Sequence, residues 1–330
     1  MERTRPNIPF VGLHAHSVAG SVFDGFGYPQ DHMDFAYENG MSALALTDHG
    51  NMNGLSYQVL HAKKMKEDGK NFKPIFGVEA YFVPSIKEWK EEYERVKEDK
   101  KKAKKIISDT DKVSAEDESA SKQKSKNKIN SRRHIVLVAL NQKGLNNIYK
   151  IVSTSHQGDN FYRYPRLDYE LLEKYGEGVM ASSACLGGVY AGDYWENRED
   201  GEEAVLEAMR ETTRRMQKAL GPRWFGELQW NSVPEQHALN KFVIQMHQEF
   251  GVELISTADS HYPTPDAWKD RELYKRLGWL GGGKSQPAYM TSELPDGIEE
   301  IGYELYPKNG DQMWESYKKY SKICLEEYND

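Results

Sequence analysis

The strongest constraint on this chain is a repeating order: a short apolar run, a loop carrying polar residues, a helix, then the next apolar run. Seven such runs are read at residues 9–16, 43–47, 74–78, 134–140, 178–183, 224–229 and 252–257. Helical patterns follow most of them, at 29–39, 55–67, 144–154, 201–220 and 234–249. Alternating strand and helix predicts a parallel sheet, because parallel neighbours need a crossover and a helix supplies it. Seven units in one domain favour closure, so the predicted fold is α/β, a seven-stranded TIM-like barrel. In such a barrel the chemistry collects at the carboxyl ends of the strands. His14, His16, Asp48, His49, Glu79, Cys185, Glu227, Asp259 and His261 obey that rule, whereas His134 opens its strand.

Within Leu13-His14-Ala15-His16-Ser17 the two histidines are two residues apart, so on a strand they face the same way. Two imidazoles aimed at one point make a metal-ligand arrangement. Taken alone the pair reads equally well as two surface histidines; the weight comes from the other ligand types at the strand ends. The formal net charge of −7 does not draw nucleic acid, so a phosphate substrate would need local positive charge, which metal ions supply. Two cysteines argue against a disulfide framework. With no leader-like segment and no apolar run of membrane length, the expectation is a soluble cytoplasmic protein with no membrane partner.

Between residues 87 and 133 the composition shifts to 16 Lys/Arg against 11 Asp/Glu. The first part, 87–107, is predicted as a solvated helix and 108–128 as unstructured, for want of apolar residues. The barrel is expected over 1–262, interrupted by this insertion. An extension over 263–330 is expected to pack on it, with loops at 281–283 and 294–297. Its last helix, 311–328, would turn Met313, Trp314 and Tyr317 inward. His32, His61, His156, His237 and His247 read as structural and Cys324 as buried. Tyr262, beside the strand end, offers a ring for stacking on a nucleotide base.

Taken in order, several motifs resemble one family. They are His14-Ala15-His16-Ser17, Asp24-Gly25, Thr47-Asp48-His49-Gly50, Gly77-Val78-Glu79-Ala80-Tyr81, Arg133-His134 with its apolar run, Ser183-Ala184-Cys185-Leu186-Gly187-Gly188 and Ala258-Asp259-Ser260-His261. They are similar to the PHP (polymerase and histidinol phosphatase) domain, most of all to the N-terminal domains of bacterial DNA polymerase III alpha subunits. Segments 141–147, 175–178 and 311–315 are also of that type, and only the charged insertion falls outside the resemblance. The resemblance implies a distorted barrel holding two to three divalent metal ions. One would sit on His14, His16, Glu79 and Asp259, a second on Glu79, His134 and Cys185, and a third on Asp24, His49 and His261. Cys185 tilts the choice to zinc, with manganese or iron as alternatives. Glu79 and Asp259 would be the catalytic carboxylates, with a metal-bound hydroxide as nucleophile. Asp48 would orient a ligand imidazole from behind; Glu227 reads either as an inward-facing carboxylate behind the ligands at the barrel end or as a packing partner of Arg223.

Two departures stand out: the loop from His16 to Asp24 is about one residue longer than the family pattern, and the charged insertion is also longer than that pattern. The implied function is a metal-dependent phosphoesterase acting on phosphodiester bonds at DNA 3′ ends, in the manner of a 3′–5′ exonuclease. The alternatives are a histidinol-phosphate-type phosphatase and a non-catalytic, metal-stabilised module docking a polymerase catalytic subunit. No paired palm aspartates are found, since Asp109-Thr110-Asp111 falls in the insertion, so the chain is not expected to polymerise.

Overall fold

The computed structural model describes residues 3–109, 132–280 and 304–326. Its strands are β1 (Ala43–Leu46), β2 (Lys73–Phe82), β3 (Arg133–Ala139), β4 (Phe161–Tyr162), β5 (Tyr164–Leu167), β6 (Val179–Ser182), β7 (Trp224–Gln229) and β8 (Glu253–Thr257). The helices are α1 (Pro29–Glu38), α2 (Leu55–Glu67), α3 (Ile86–Asp109), α4 (Gln142–Ser155), α5 (Tyr169–Tyr175), α6 (Val189–Asn197), α7 (Glu202–Leu220), α8 (Pro234–Phe250), α9 (Trp268–Leu280) and α10 (Gly310–Glu326).

The sheet curls into a ring. β1 lies parallel on the first half of β2, with Ala43 opposite Lys73. β3 lies on its second half, with Gly77 opposite Val138. The order then runs β3–β6–β7–β8. The segment before α1 closes the gap: Gly12 bridges Leu44 on one side and Ala15 bridges Ser260 on the other. The Thr47 amide donates to Ala15 O at 2.7 Å and the His16 amide to Ser260 O at 2.7 Å. The expected α/β barrel is therefore present in a distorted form, with three differences from the sequence reading.

First, the 9–16 run forms no regular strand, because it crosses from β1 to the end of β8 and pairs only singly with each. Second, the sheet is not all parallel: β3 runs antiparallel to both β2 and β6. The chain leaves β2 through α3 and re-enters β3 from the same end, and a connection that does not return across the sheet gives antiparallel neighbours. The start of β3 thereby lies with the carboxyl ends of the other strands, which is why His134 joins them. Third, the β4–β5 hairpin, α5 and α6 were not anticipated; strands of two and four residues are too short for alternation to register.

Apolar faces of the sheet and helices share one core containing Ile135, Leu137, Ile148, Ile151 and Trp224. The indole Nε1 of buried Trp224 donates to Tyr190 Oη at 2.8 Å, and Tyr190 Oη pairs with Thr213 Oγ1 at 2.7 Å. Trp224→Phe removes that donor inside the core and should cost about 1–3 kcal/mol. A lower urea midpoint with an unchanged slope would show it; an unchanged midpoint would mean the hydrogen bond contributes nothing net.

Along the part of α3 whose side chains are described, many are exposed, while Trp89 and Val96 are buried. On α10, Met313 and Tyr320 are buried and Tyr317 meets Trp230 edge-on at 5.1 Å. Trp314 does not face the core; it is 48% exposed and stacks on Tyr317. The Asp311 carboxylate accepts from the Asn7 and Ile8 amides, tying the amino-terminal segment to α10. Most of 108–128, the loops expected at 281–283 and 294–297, and the Cys324 side chain lie outside the described residues. Among the described residues no helix is long and apolar enough to cross a membrane.

Candidate metal centre

The ends of the ring bring the predicted side chains into one cluster. After β1 the chain delivers Thr47, Asp48 and His49, then turns at Gly50 with φ 67°. A Cβ at Gly50 would stand 2.9 Å from Pro165 and 3.0 Å from Tyr81, so the turn against β5 needs glycine. Glu79 sits within β2, fully buried, beside His49. After β8, Asp259 takes the left-handed region at φ 47°, which aims its carboxylate at His14 and His16.

The donor atoms stand at ligand-to-ligand range. His14 Nε2, His16 Nε2 and Asp259 Oδ1 form a triangle with edges of 3.1, 3.2 and 3.2 Å. Donors about 2.0–2.1 Å from a tetrahedral ion lie roughly 3.3 Å apart. Glu79 faces four imidazoles: His49 Nδ1 at 2.6 Å, His134 Nδ1 at 3.0 Å, His14 Nε2 at 3.2 Å and His16 Nε2 at 3.6 Å. Cys185 Sγ lies 3.7 Å from His134 Nδ1 and 4.0 Å from Glu79 Oε1. Asp24 Oδ2 lies 2.9 Å from His49 Nε2 and 3.4 Å from His261 Nε2. Three overlapping groups, His14–His16–Asp259, His49–Glu79–His134 and His16–His49–His261, are compatible with divalent metal binding. The orphaned atoms point the same way: Glu79 Oε2, Asp259 Oδ1 and His49 Nδ1 are buried without an aligned hydrogen bond. Buried polar atoms normally find a partner, so this donor set fits bound cations.

Neighbouring groups fix which ring nitrogen faces inward. His14 Nδ1 hydrogen-bonds the Glu227 carboxylate at 2.7 Å, and His261 Nδ1 the Asp259 carbonyl at 2.7 Å. An acceptor on Nδ1 takes that nitrogen's proton and leaves Nε2 as the ring nitrogen that faces into the cluster. His16 Nδ1 meets Ser21 Oγ at 3.2 Å. That hydroxyl donates to Asp48 Oδ1 and accepts from the His49 amide, so its remaining lone pair takes the His16 proton. Glu227 is itself held by Ser182 Oγ at 2.5 Å and Thr257 Oγ1 at 2.6 Å. It is not a partner of Arg223, which bonds the Gly176 and Val179 carbonyls.

Charge inside the cluster is arranged in opposition. Burial works against a charged His14, but Asp259, Glu227 and Glu79 outweigh it and raise its pKa well above the usual value. Burial and the neighbouring His49 and His261 push His16 down to about 3. Against its desolvation, half-buried His49 is raised to about 10 by Glu79 and Asp24. Against burial, His134, His49 and His14 hold Glu79 well below the carboxylate range; His14 and His261 do the same for Asp259. Burial, then Asp259 and Glu79, raise the Cys185 thiol.

Asp48 touches no imidazole directly; its carboxylate takes the Ser17 amide at 2.6 Å and the Ser17 and Ser21 hydroxyls, so it acts on the His16 ring through Ser21. Tyr262 is not available for stacking either, being 3% exposed with its hydroxyl accepting from the Leu305 amide. His32 bonds the Phe26 carbonyl, His61 lies by Asp34, and His156 and His247 bond the Val152 and Val252 carbonyls. His237 packs near Tyr320. Sequence reading missed Arg271 on α9. It is buried, its Nε donates to Asp24 O at 2.7 Å, and its guanidinium reaches Asp24 Oδ1 at 2.5 Å. An arginine in a charged helix carries no local signal of such a role.

A seven-membered α/β ring with histidines and carboxylates gathered at one mouth defines a class of site able to hold divalent metal ions. The chain belongs to the PHP domain family, which it matches over residues 12–229. It is similar to the DNA polymerase III subunit alpha of Aquifex aeolicus, 33% identical over 78% of this chain and 18% of that protein. It is likewise similar to that of Borreliella burgdorferi, 29% identical over 93% of this chain and 22% of that protein. The chain thus spans about a fifth of the length of these relatives. Among solved structures, an amidohydrolase from Chromobacterium violaceum superposes with a TM-score of 0.41 at 13% identity, covering 80% of this chain and 96% of the other.

Proposed function

We propose that this domain is a metal-dependent phosphoesterase that hydrolyses phosphodiester bonds of DNA from the 3′ end. The observation that carries the reading is the convergence of the buried Glu79 and Asp259 carboxylates, each with an oxygen lacking an aligned hydrogen bond, on the ring nitrogens of His14, His16, His49 and His134. His14, His16, Glu79 and Asp259 would hold one divalent ion, Glu79, His134 and Cys185 a second, and Asp24, His49 and His261 a third. Cys185 favours zinc, with manganese or iron as alternatives. When bound, such ions offset the charge of a phosphodiester and bring the pKa of water to about 7. The protein's part is to hold the donors in place: Glu227 fixes the His14 ring, Ser21 and Asp48 fix His16, and Arg271 fixes Asp24. Likeness to polymerase alpha subunits favours DNA over a small phosphate ester, and the cytoplasm as the place of action.

Elemental analysis of gently purified protein is expected to find two to three transition-metal ions per chain, and a labelled single-stranded oligonucleotide should shorten from its 3′ end. Fewer than about one ion in metal-supplemented preparations would sink the reading. The same likeness carries a second reading, a metal-stabilised module that docks a polymerase catalytic subunit. Bound metal with no hydrolysis of any phosphoester would favour it.

A further inference from the structure

Beside the cluster runs a series of tyrosines interleaved with cations. Tyr81, two residues past Glu79 on β2, has its ring 5.4 Å from that of His134 and 6.3 Å from that of His49. Tyr164, which opens β5, meets Tyr81 edge-on at 5.4 Å. Across the hairpin Tyr162 pairs in register with Tyr164, and its ring lies 4.8 Å from Tyr93 on α3. All four rings are half-buried. The Arg132 guanidinium sits 3.7 Å over Tyr164 and 5.3 Å over Tyr81. Arg163, exposed at the hairpin apex, lies 5.5 Å over Tyr162, and Lys97 lies 5.6 Å from Tyr93. Lys90 and Lys97 also pair with Asp159 and Glu94, so the hairpin is the more cationic part of the series.

We propose that this ledge binds single-stranded nucleic acid and leads its end to the metal-ligand cluster. The destination rests on the phosphoesterase reading; the binding itself does not. Unpaired bases stack on aromatic faces whatever their sequence, while interleaved cations meet the phosphates. Paired bases hide those faces. His16 and Glu79 are fully buried, so a scissile phosphate reaches them only at the end of a thin strand. The chain's net charge of −7 provides no general attraction, so binding must come from a local track. A small phosphate ester would use none of it.

The test is fluorescence anisotropy of fluorescein-labelled dT and rU strands of about twelve nucleotides, with the full chain stripped of metal by EDTA. Both arms report single-strand binding, and their ratio shows whether DNA or RNA is preferred. A duplex of the same length should bind at least about ten-fold more weakly. Tyr162→Ala should weaken single-strand binding about ten-fold with an unchanged salt slope, and Tyr162→Phe should restore it. Arg163→Ala should lower the slope of log K against log salt by about 0.7. Melting curves confirm that each variant is folded; should Tyr162→Ala unfold, the exposed Arg163 variant carries the test. Failure of wild type to bind either strand at low salt, equal affinity for duplex, or folded hairpin variants that bind as wild type would each overturn the proposal. A chain that binds single strands through the hairpin yet cuts none overturns only the phosphoesterase reading.

Discussion

Asp259→Asn is expected to lower oligonucleotide hydrolysis by more than about a hundred-fold while leaving the ring folded. Asp259 Oδ1 stands 3.2 Å from both His14 Nε2 and His16 Nε2, and its carboxylate is 10% exposed. The amide keeps shape and packing but removes the negative charge on which a cation at that triangle depends. Loss of a group that only orients a ligand costs about 10–100-fold, and loss of a ligand itself should cost more. One ion fewer per chain should accompany the loss of rate. The variant's backbone strain is little changed, because Asn tolerates the left-handed region at φ 47° as well as Asp does. The docking-module reading expects the opposite pattern, with no hydrolysis by wild type and an effect of the variant only on stability or partner binding. Equal residual hydrolysis by the two proteins would mark the activity as a contaminant.

How much of this was legible in the sequence depends on the range over which each constraint acts. The pairing of His14 with His16 follows from strand periodicity alone, and their Nε2 atoms do converge, although the segment is held by single bridges rather than as a regular strand. The positions of His49, Asp259 and His261 follow from their places at apolar strand ends, whereas Glu79, read at the end of its run, lies inside β2, which continues to Phe82 beside β3. His134 shows the limit of that rule: its run looks like any other, and nothing within it reveals that β3 is antiparallel. Direction is set by where the insertion returns the chain, a property of the connection rather than of the strand. Asp48 shows a second limit. Its position was read correctly but not its contact, because a hydroxyl five residues beyond His16 lies between carboxylate and imidazole. The hairpin that carries Tyr162 and Tyr164 was too short to leave a periodic trace.

Arg271→Ala should weaken the group formed by Asp24, His49 and His261 while sparing the other two. Arg271 lies beyond the family match, which ends at Gln229, yet it grips Asp24 at both the backbone oxygen and Oδ1. With Oδ1 so occupied, Oδ2 is the oxygen turned to His49 and His261. The Asp24 side chain is 37% exposed, so without the guanidinium it is free to rotate toward water. The expected result is a 10–100-fold loss of affinity for the most weakly held ion, read by titration with zinc against a chelating dye, and a similar fall in hydrolysis. Arg271→Lys should recover only part of this, because an ammonium is a point charge and does not reproduce the planar two-bond contact. If Arg271 works through Asp24, then adding Arg271→Ala to Asp24→Ala should change metal affinity less than about two-fold further, since the two share one interaction. Full additivity, or unchanged metal affinity in Arg271→Ala alone, would reduce Arg271 to a packing residue of α9.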